Sequence, residues 1–295
     1  MSFAIHKTKA DRVVDVILYG CMALFCLATL FPLYFVFIMS ITPFKEVMRN
    51  GGFVIWPGSF TFEAFATIFN SKVVPRALQV SVFITVVGTA LNLLVTMFLA
   101  YPLSKKSLPG RHIVLLALVF TMLFSGGLIP TYLTVRATGL INTLWALIIP
   151  GLVSTFNALI MKTYFESLPA EVEEAAKVDG CGDLRTLFLI VMPLSMPIIA
   201  TLGLFYGVGH WNAYFGGIMY LTDSSLYPIQ VVLRNMIQSP SISQELGVQQ
   251  TMVQQLPPET VKMATVVVAL VPILAVYPFL QKYFVKGMMI GAIKG

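Results

Sequence analysis

The stretch EEAAKVDGCGDLRTLFLIVMP, Glu173 to Pro193, decides how the rest of the chain is read. It belongs to a segment in which Glu166, Glu171, Glu173, Glu174, Asp179 and Asp183 crowd into eighteen residues. Elsewhere charge is scarce: of 295 residues, 57% are hydrophobic and 11% are charged, and the mean hydropathy is +0.85. A soluble domain carries about 25% charged residues, so this composition excludes one. On either side of the acidic segment run apolar stretches long enough to cross a bilayer.

Six such stretches are predicted, at about 14–40, 77–103, 112–135, 140–163, 186–220 and 263–281. They lack the period-two alternation of a barrel strand, so the fold class is all-α integral membrane. The fifth stretch contains Pro193 and Pro197, which predicts a bend or a later start. The basic N-terminus (His6, Lys7, Lys9, Arg12) precedes an apolar run too long for a signal peptide and reads as a retained first helix. With the N-terminus inside, twelve of the nineteen Lys and Arg fall on the inner side. The positive-inside rule then predicts both termini in the cytoplasm, and it places the acidic segment in the cytoplasmic loop between spans four and five. The basic balance follows from topology, and no basic–aromatic interleaving points to nucleic acid.

Several chemistries are absent. The three histidines, His6, His112 and His210, offer no metal-ligand spacing, and no Gly-Lys dipeptide exists, so the chain has no phosphate loop of its own. No catalytic or metal site is predicted. Cys21, Cys26 and Cys181 form no disulfide framework. The interiors of the spans lack Asp, Glu, Lys and Arg, whereas a proton-coupled transporter needs buried ionisable groups. A transporter built this way draws its energy from another chain.

The acidic segment reads as helix, sharp turn, helix. Ser167 is the expected cap, Pro169 suits a first turn, and Glu171 and Glu173 favour the positive helix end. Asp179-Gly180 supplies the stop, glycine taking the left-handed backbone of a C-cap. A second helix restarts near Asp183. Val172, Ala175, Ala176 and Asp179 lie along one side at helical spacing, the two alanines allowing close approach of another surface. On these grounds the element is either an interfacial linker or a docking peg.

Here a resemblance enters. The permease subunits of ATP-binding-cassette importers carry EAA-x3-G-x9-I-x-L-P, and this chain has Glu174-Ala175-Ala176, Gly180, Ile190 and Pro193 in register, with Met192 replacing leucine. FSGGLIPTYL (Phe124–Leu133), GLINTLWALIIPG (Gly139–Gly151) and KGMMIGAIKG (Lys286–Gly295) resemble the carbohydrate-uptake class, nearest to its alginate and aldouronate branch. The resemblance implies a type I importer permease: six transmembrane helices in one domain over 1–295, with a cytoplasmic coupling loop at 164–192 and a cytoplasmic tail at 282–295. It further implies a second, different permease, two ATP-binding subunits holding the ATP and Mg, an extracytoplasmic sugar-binding protein, and residence in a bacterial plasma (inner) membrane. The chain itself would bind no cofactor. The implied ATPase-coupling residues are Glu174, Ala175, Ala176, Asp179 and Gly180, with Asp179 assigned to the cap. The flexible basic tail would meet anionic lipid or the ATPases. Another small solute, an autonomous secondary transporter and a membrane scaffold are the alternatives.

Two further segments stand out. YGVGHWNAYF, Tyr206–Phe215, offers Tyr206, His210, Trp211, Asn212 and Tyr214 as a possible substrate pathway. The simpler reading has His210 and Asn212 bonding between helices, with Trp211 and Tyr214 packing. Gly203 and Gly207 read as a close helix approach. The glutamine-rich loop at about 223–262 either moves freely or touches the binding protein, and aromatic residues from Trp56 to Phe69 suit a membrane interface.

Overall fold

In a computed structural model, the structure describes the backbone of residues 9–238 and 258–292. Two compact units divide the chain, 1–71 with 241–268, and 72–240 with 269–295. Among the described residues the regular structure is helical. In the first unit, α1 (Lys9–Ser40) is apolar on every face beyond Asp15 and mostly exposed, as expected of a helix whose surroundings are themselves apolar. Its C-terminal end packs Met39 against Val47 of α2 (Phe44–Arg49) and Val54. α3 (Glu63–Asn70) buries Ala64 and Ile68 and leaves Phe62 and Phe69 exposed at its ends.

The second unit is organised around α4 (Val73–Ser104), about 48 Å long at 1.5 Å per residue. α5 (Arg111–Leu123) and α6 (Leu128–Ala137) follow. Two 3-10 turns, Leu144–Leu147 and Ile149–Gly151, then lead into α7 (Thr155–Glu166). α8 (Ala170–Val178) is the loop helix. α9 (Asp183–Thr186) runs through a π-helical turn, Leu187–Val191, into α10 (Met192–Leu194). Beyond lie α11 (Met196–Asn212), α12 (Phe215–Tyr220) and α13 (Ile229–Gln238), and the C-terminal helix α14 spans Pro258–Ala292. α4 packs most extensively against α11 and then α7. Met97, Tyr101, Met161, Phe165, Leu187 and Leu202 build their shared core.

Among the described residues, three helical segments are long and apolar enough to cross a membrane: Asp11–Ser40, Val73–Ser104 and Glu259–Val276. Three bent pairs bring the number to six if each is one span. Expected as a single run, the third stretch turns by 116° between Leu123 and Leu128. The cause is Gly127, at φ 85° and ψ 177°, a backbone region open essentially to glycine alone. The fourth stretch bends by 51° between Gly151 and Thr155, where Ser154 caps α7 by accepting from the Asn157 N–H.

The proline bend expected in the fifth stretch occurs: Asp183–Leu194 meets α11 at 84°. Pro193 and Pro197 each lack the N–H that an unbroken helix needs. The helix ends at Asn212, short of 220, so Tyr214 lies in a break before α12. The backbone of 282–292 continues α14 where a flexible tail was expected. Gly287 and Gly291 weaken a helix by about 1 kcal/mol each without stopping it. Residues 239–257 of the glutamine-rich loop and 293–295 of the tail lie outside the described residues.

Candidate functional site

Two regions collect the residues singled out above. The first is the loop helix. α7 closes at Glu166, and the Ser167 hydroxyl donates back to the Tyr164 carbonyl at 2.7 Å. Ser167 therefore ends α7 and does not cap α8, whose N-cap is Pro169. The expected stop is present: Asp179 is the C-cap, and Gly180 sits at φ 76°. Its N–H donates to the Lys177 carbonyl, and the Cys181 N–H donates to that of Ala176. The restart falls at Asp183, with Gly182 as the N-cap.

The two alanines separate. Ala176 is 2% exposed and packs into its own chain, whereas Ala175, Glu174, Asp179 and Gly180 are exposed. Val178, which lies outside the side formed by Val172, Ala175, Ala176 and Asp179, is 88% exposed. The outward surface of α8 thus presents Ala175 and Val178 as a small apolar patch among the charges of Glu171, Glu174 and Lys177. Two of the six carboxylates turn inward. Glu166 accepts from Arg111 at 2.5 Å and Lys162 at 2.8 Å. Glu173 pairs with Lys105, the C-cap of α4, whose ammonium also stands 4.3 Å from the centre of the Tyr101 ring. Arg111 reaches back as well, its Nε donating to the Leu103 carbonyl at 2.8 Å. No local pattern in the sequence assigns Lys105 or Arg111 these partners.

The second region is the α4–α11 seam. Tyr206 and Thr96 hydroxyls lie 2.8 Å apart. His210 Nε2 is 2.7 Å from Asn92 Oδ1. The Asn92 Nδ2 group donates to the carbonyls of Gly151 and Leu152 at 2.7 and 2.9 Å. With Oδ1 left as acceptor, His210 is the donor, through an Nε2–H tautomer. Trp211 donates to the Ala269 carbonyl at 3.1 Å. Asn212 donates to Val208 within its own helix at 3.0 Å, so the expected interhelical bond is made by His210 alone. Asn212 and Tyr214 are exposed.

Gly203 and Gly207 do face α4, where an added Cβ would meet Leu93 at 3.4 Å and Thr89 Oγ1 at 3.5 Å. The partners on α4 were legible as a stripe, since Thr85, Thr89, Asn92 and Thr96 recur at one-turn spacing. A third tie joins loops. Asn142, at φ 59°, accepts at Oδ1 from the Thr222 and Asp223 N–H groups at 3.0 and 2.9 Å. Among the described residues no group of three or more His, Cys, Asp or Glu could hold a metal ion.

Residues 1–290 match the family described as the binding-protein-dependent transport system inner membrane component. The chain belongs to this family. The permease is 45% identical to Protein LplC of Bacillus subtilis over 295 residues, covering 98% of each chain. It is 44% identical to a polygalacturonan/rhamnogalacturonan transport system permease protein, YtcP, of the same organism, covering 97% of this chain and 99% of that one. Among solved structures it resembles, with TM-score 0.88 and 31% identity, a chain of a bacterial ABC transporter involved in the import of the acidic polysaccharide alginate. That match covers 94% of the permease and 99% of the other chain. The fold is therefore that of a type I importer permease, and the family's role is transport and not catalysis. Membership places the permease in an inner membrane and makes it part of a system that depends on a binding protein.

Proposed function

We propose that the permease forms half of the translocation pathway of an ATP-driven importer of oligosaccharides, and that these carry uronate groups. The observation that carries this reading is likeness over nearly the full chain to two systems for acidic polysaccharides, one named for polygalacturonan and one for alginate. The other half is a second, different permease. Two ATPase subunits supply ATP and Mg chemistry, and an extracytoplasmic protein delivers the sugar. Both termini are cytoplasmic, in a bacterial plasma membrane.

α8 is the part that the ATPase grips. Glu174, Ala175, Asp179 and Gly180 form or shape its outward side, and Ala176 acts from beneath by seating the helix on its own chain. Closure of the ATPase dimer on ATP moves α8, and the cavity between the permeases then opens outward. Within the polar cluster, Tyr206, His210 and Trp211 hold helices together, and Asn212 and Tyr214 are the members free to meet sugar.

The test is purification of tagged permease from its native membrane in mild detergent, with co-purifying chains identified by mass, followed by uptake in reconstituted vesicles. An ATPase and a second permease, with uptake of oligogalacturonate or alginate fragments in preference to neutral maltotriose, is the expected result. A chain that purifies alone, or only with copies of itself, overturns the importer reading. Preference for the neutral sugar overturns the substrate.

A further inference from the structure

We infer that Lys105 and Glu173 form the strut that passes movement of α8 to the membrane helices. This rests on the reading of α8 as the ATPase contact and adds the element that makes such a contact useful. A nine-residue helix displaced by a partner does no work on the pathway unless something resists its sliding over its own chain.

Little in the structure offers that resistance. Of the residues in α8 only Ala176 is buried, and a methyl group grips weakly. Beside it opens a groove lined by Tyr101, Pro102, Lys105, Ser107, Lys177 and Asp183, so side-chain packing does not wedge the helix from that direction. Glu166 is held by Arg111 and Lys162, but it belongs to α7, ahead of the turn into α8. Among the described residues, Glu173 alone makes an ion pair from α8 itself.

Its partner is well placed. Lys105 caps α4, where a cation is favoured by the helix dipole. Its approach to the Tyr101 ring adds an attraction that fixes the ammonium. Both side chains are more than two-thirds shielded, at 28% and 18% exposure, so water and salt weaken the pair less than they would a surface bridge. α4 is also the helix against which α7 and α11 pack. A push on α8 therefore arrives through the strut at the centre of the unit.

The experiment uses the whole importer in lipid vesicles and measures sugar transported per ATP hydrolysed. It compares wild type, Lys105→Ala, Glu173→Gln and the exchanged pair Lys105→Glu/Glu173→Lys. The single variants should retain the ATPase subunits while losing about five-fold or more of transport per ATP, the lower end of ordinary coupling between sites. The exchanged pair should recover part of it, because the ion pair returns while a carboxylate at the end of α4 loses the help of the helix dipole and the Tyr101 ring. Single variants with an unchanged ratio overturn the strut. So does an exchanged pair no better than either single, including the case in which the singles fail to assemble and the pair does not restore assembly. A wild-type permease that holds no ATPase overturns the reading beneath, and that outcome is seen before any variant is compared.

Discussion

Gly88 leaves the space that the His210 imidazole occupies. A Cβ at position 88 would stand 2.6 Å from His210 Nε2 and 2.8 Å from its Cε1, closer than any real contact. The ring must then move off Asn92. Gly88→Ala should destabilise the permease by about 1–3 kcal/mol, the usual effect of overpacking. In a His210→Ala background the same change should cost almost nothing, because the clash is gone. Thermal unfolding in detergent of the two singles and the double gives the comparison. Additive losses would mean that the two residues do not meet.

The neighbouring alanines of the loop helix should respond differently. Ala176 is enclosed, so Ala176→Leu forces α8 off its seat and lowers the unfolding temperature. Ala175 faces outward, so Ala175→Leu should leave the unfolding temperature unchanged and weaken retention of the ATPase during purification. If both variants lose stability alike, the separation of the two faces is wrong.

At Gly180 an added Cβ meets nothing within 4 Å, yet φ is 76°. The difficulty of substitution is backbone strain alone, about 1–2 kcal/mol for an ordinary L-residue and more for a β-branched one. Gly180→Val should reduce transport while membrane insertion stays normal, and Gly180→Asn should be nearly silent because asparagine tolerates this conformation. Normal uptake by the valine variant would refute the expectation.

Asn142 combines a left-handed backbone with two accepted hydrogen bonds. Asn142→Gly retains the backbone and loses the bonds, leaving two donors to seek other partners. Asn142→Ala loses both features. The expected order of stability is wild type, then Gly, then Ala, with the first step about 1–2 kcal/mol if both bonds count. An alanine variant as stable as the glycine one would remove backbone strain from the account.

The sequence was most informative where local rules decide. Asp179-Gly180 stops a helix because few residues accept the left-handed turn, and the bend near Pro193 follows from missing N–H groups. Neither depends on distant parts of the chain. Ser167 shows the opposite case: its hydroxyl closes the preceding helix instead of opening the next, a choice set by where α7 ends. Which carboxylates turn inward depends on where the α4–α5 turn brings Lys105 and Arg111, 68 and 55 residues away in sequence. The polar cluster divided for a similar reason. Tyr206 and His210 lie one turn apart and meet Thr96 and Asn92 on one facing helix, whereas Tyr214 lies beyond the end of that helix.

The bend between Gly151 and Thr155 bears on how the protein is made. Its carbonyls at Gly151 and Leu152 have no helical partner, and bare carbonyls in hydrocarbon are costly. The amide of Asn92 satisfies both. The bent segment therefore depends on α4, which precedes it in synthesis and can already be in the bilayer when Gly151 arrives. An asparagine lost from α4 would leave its mark in biogenesis, on a segment some sixty residues downstream, as a hairpin slow to settle and open to membrane proteases.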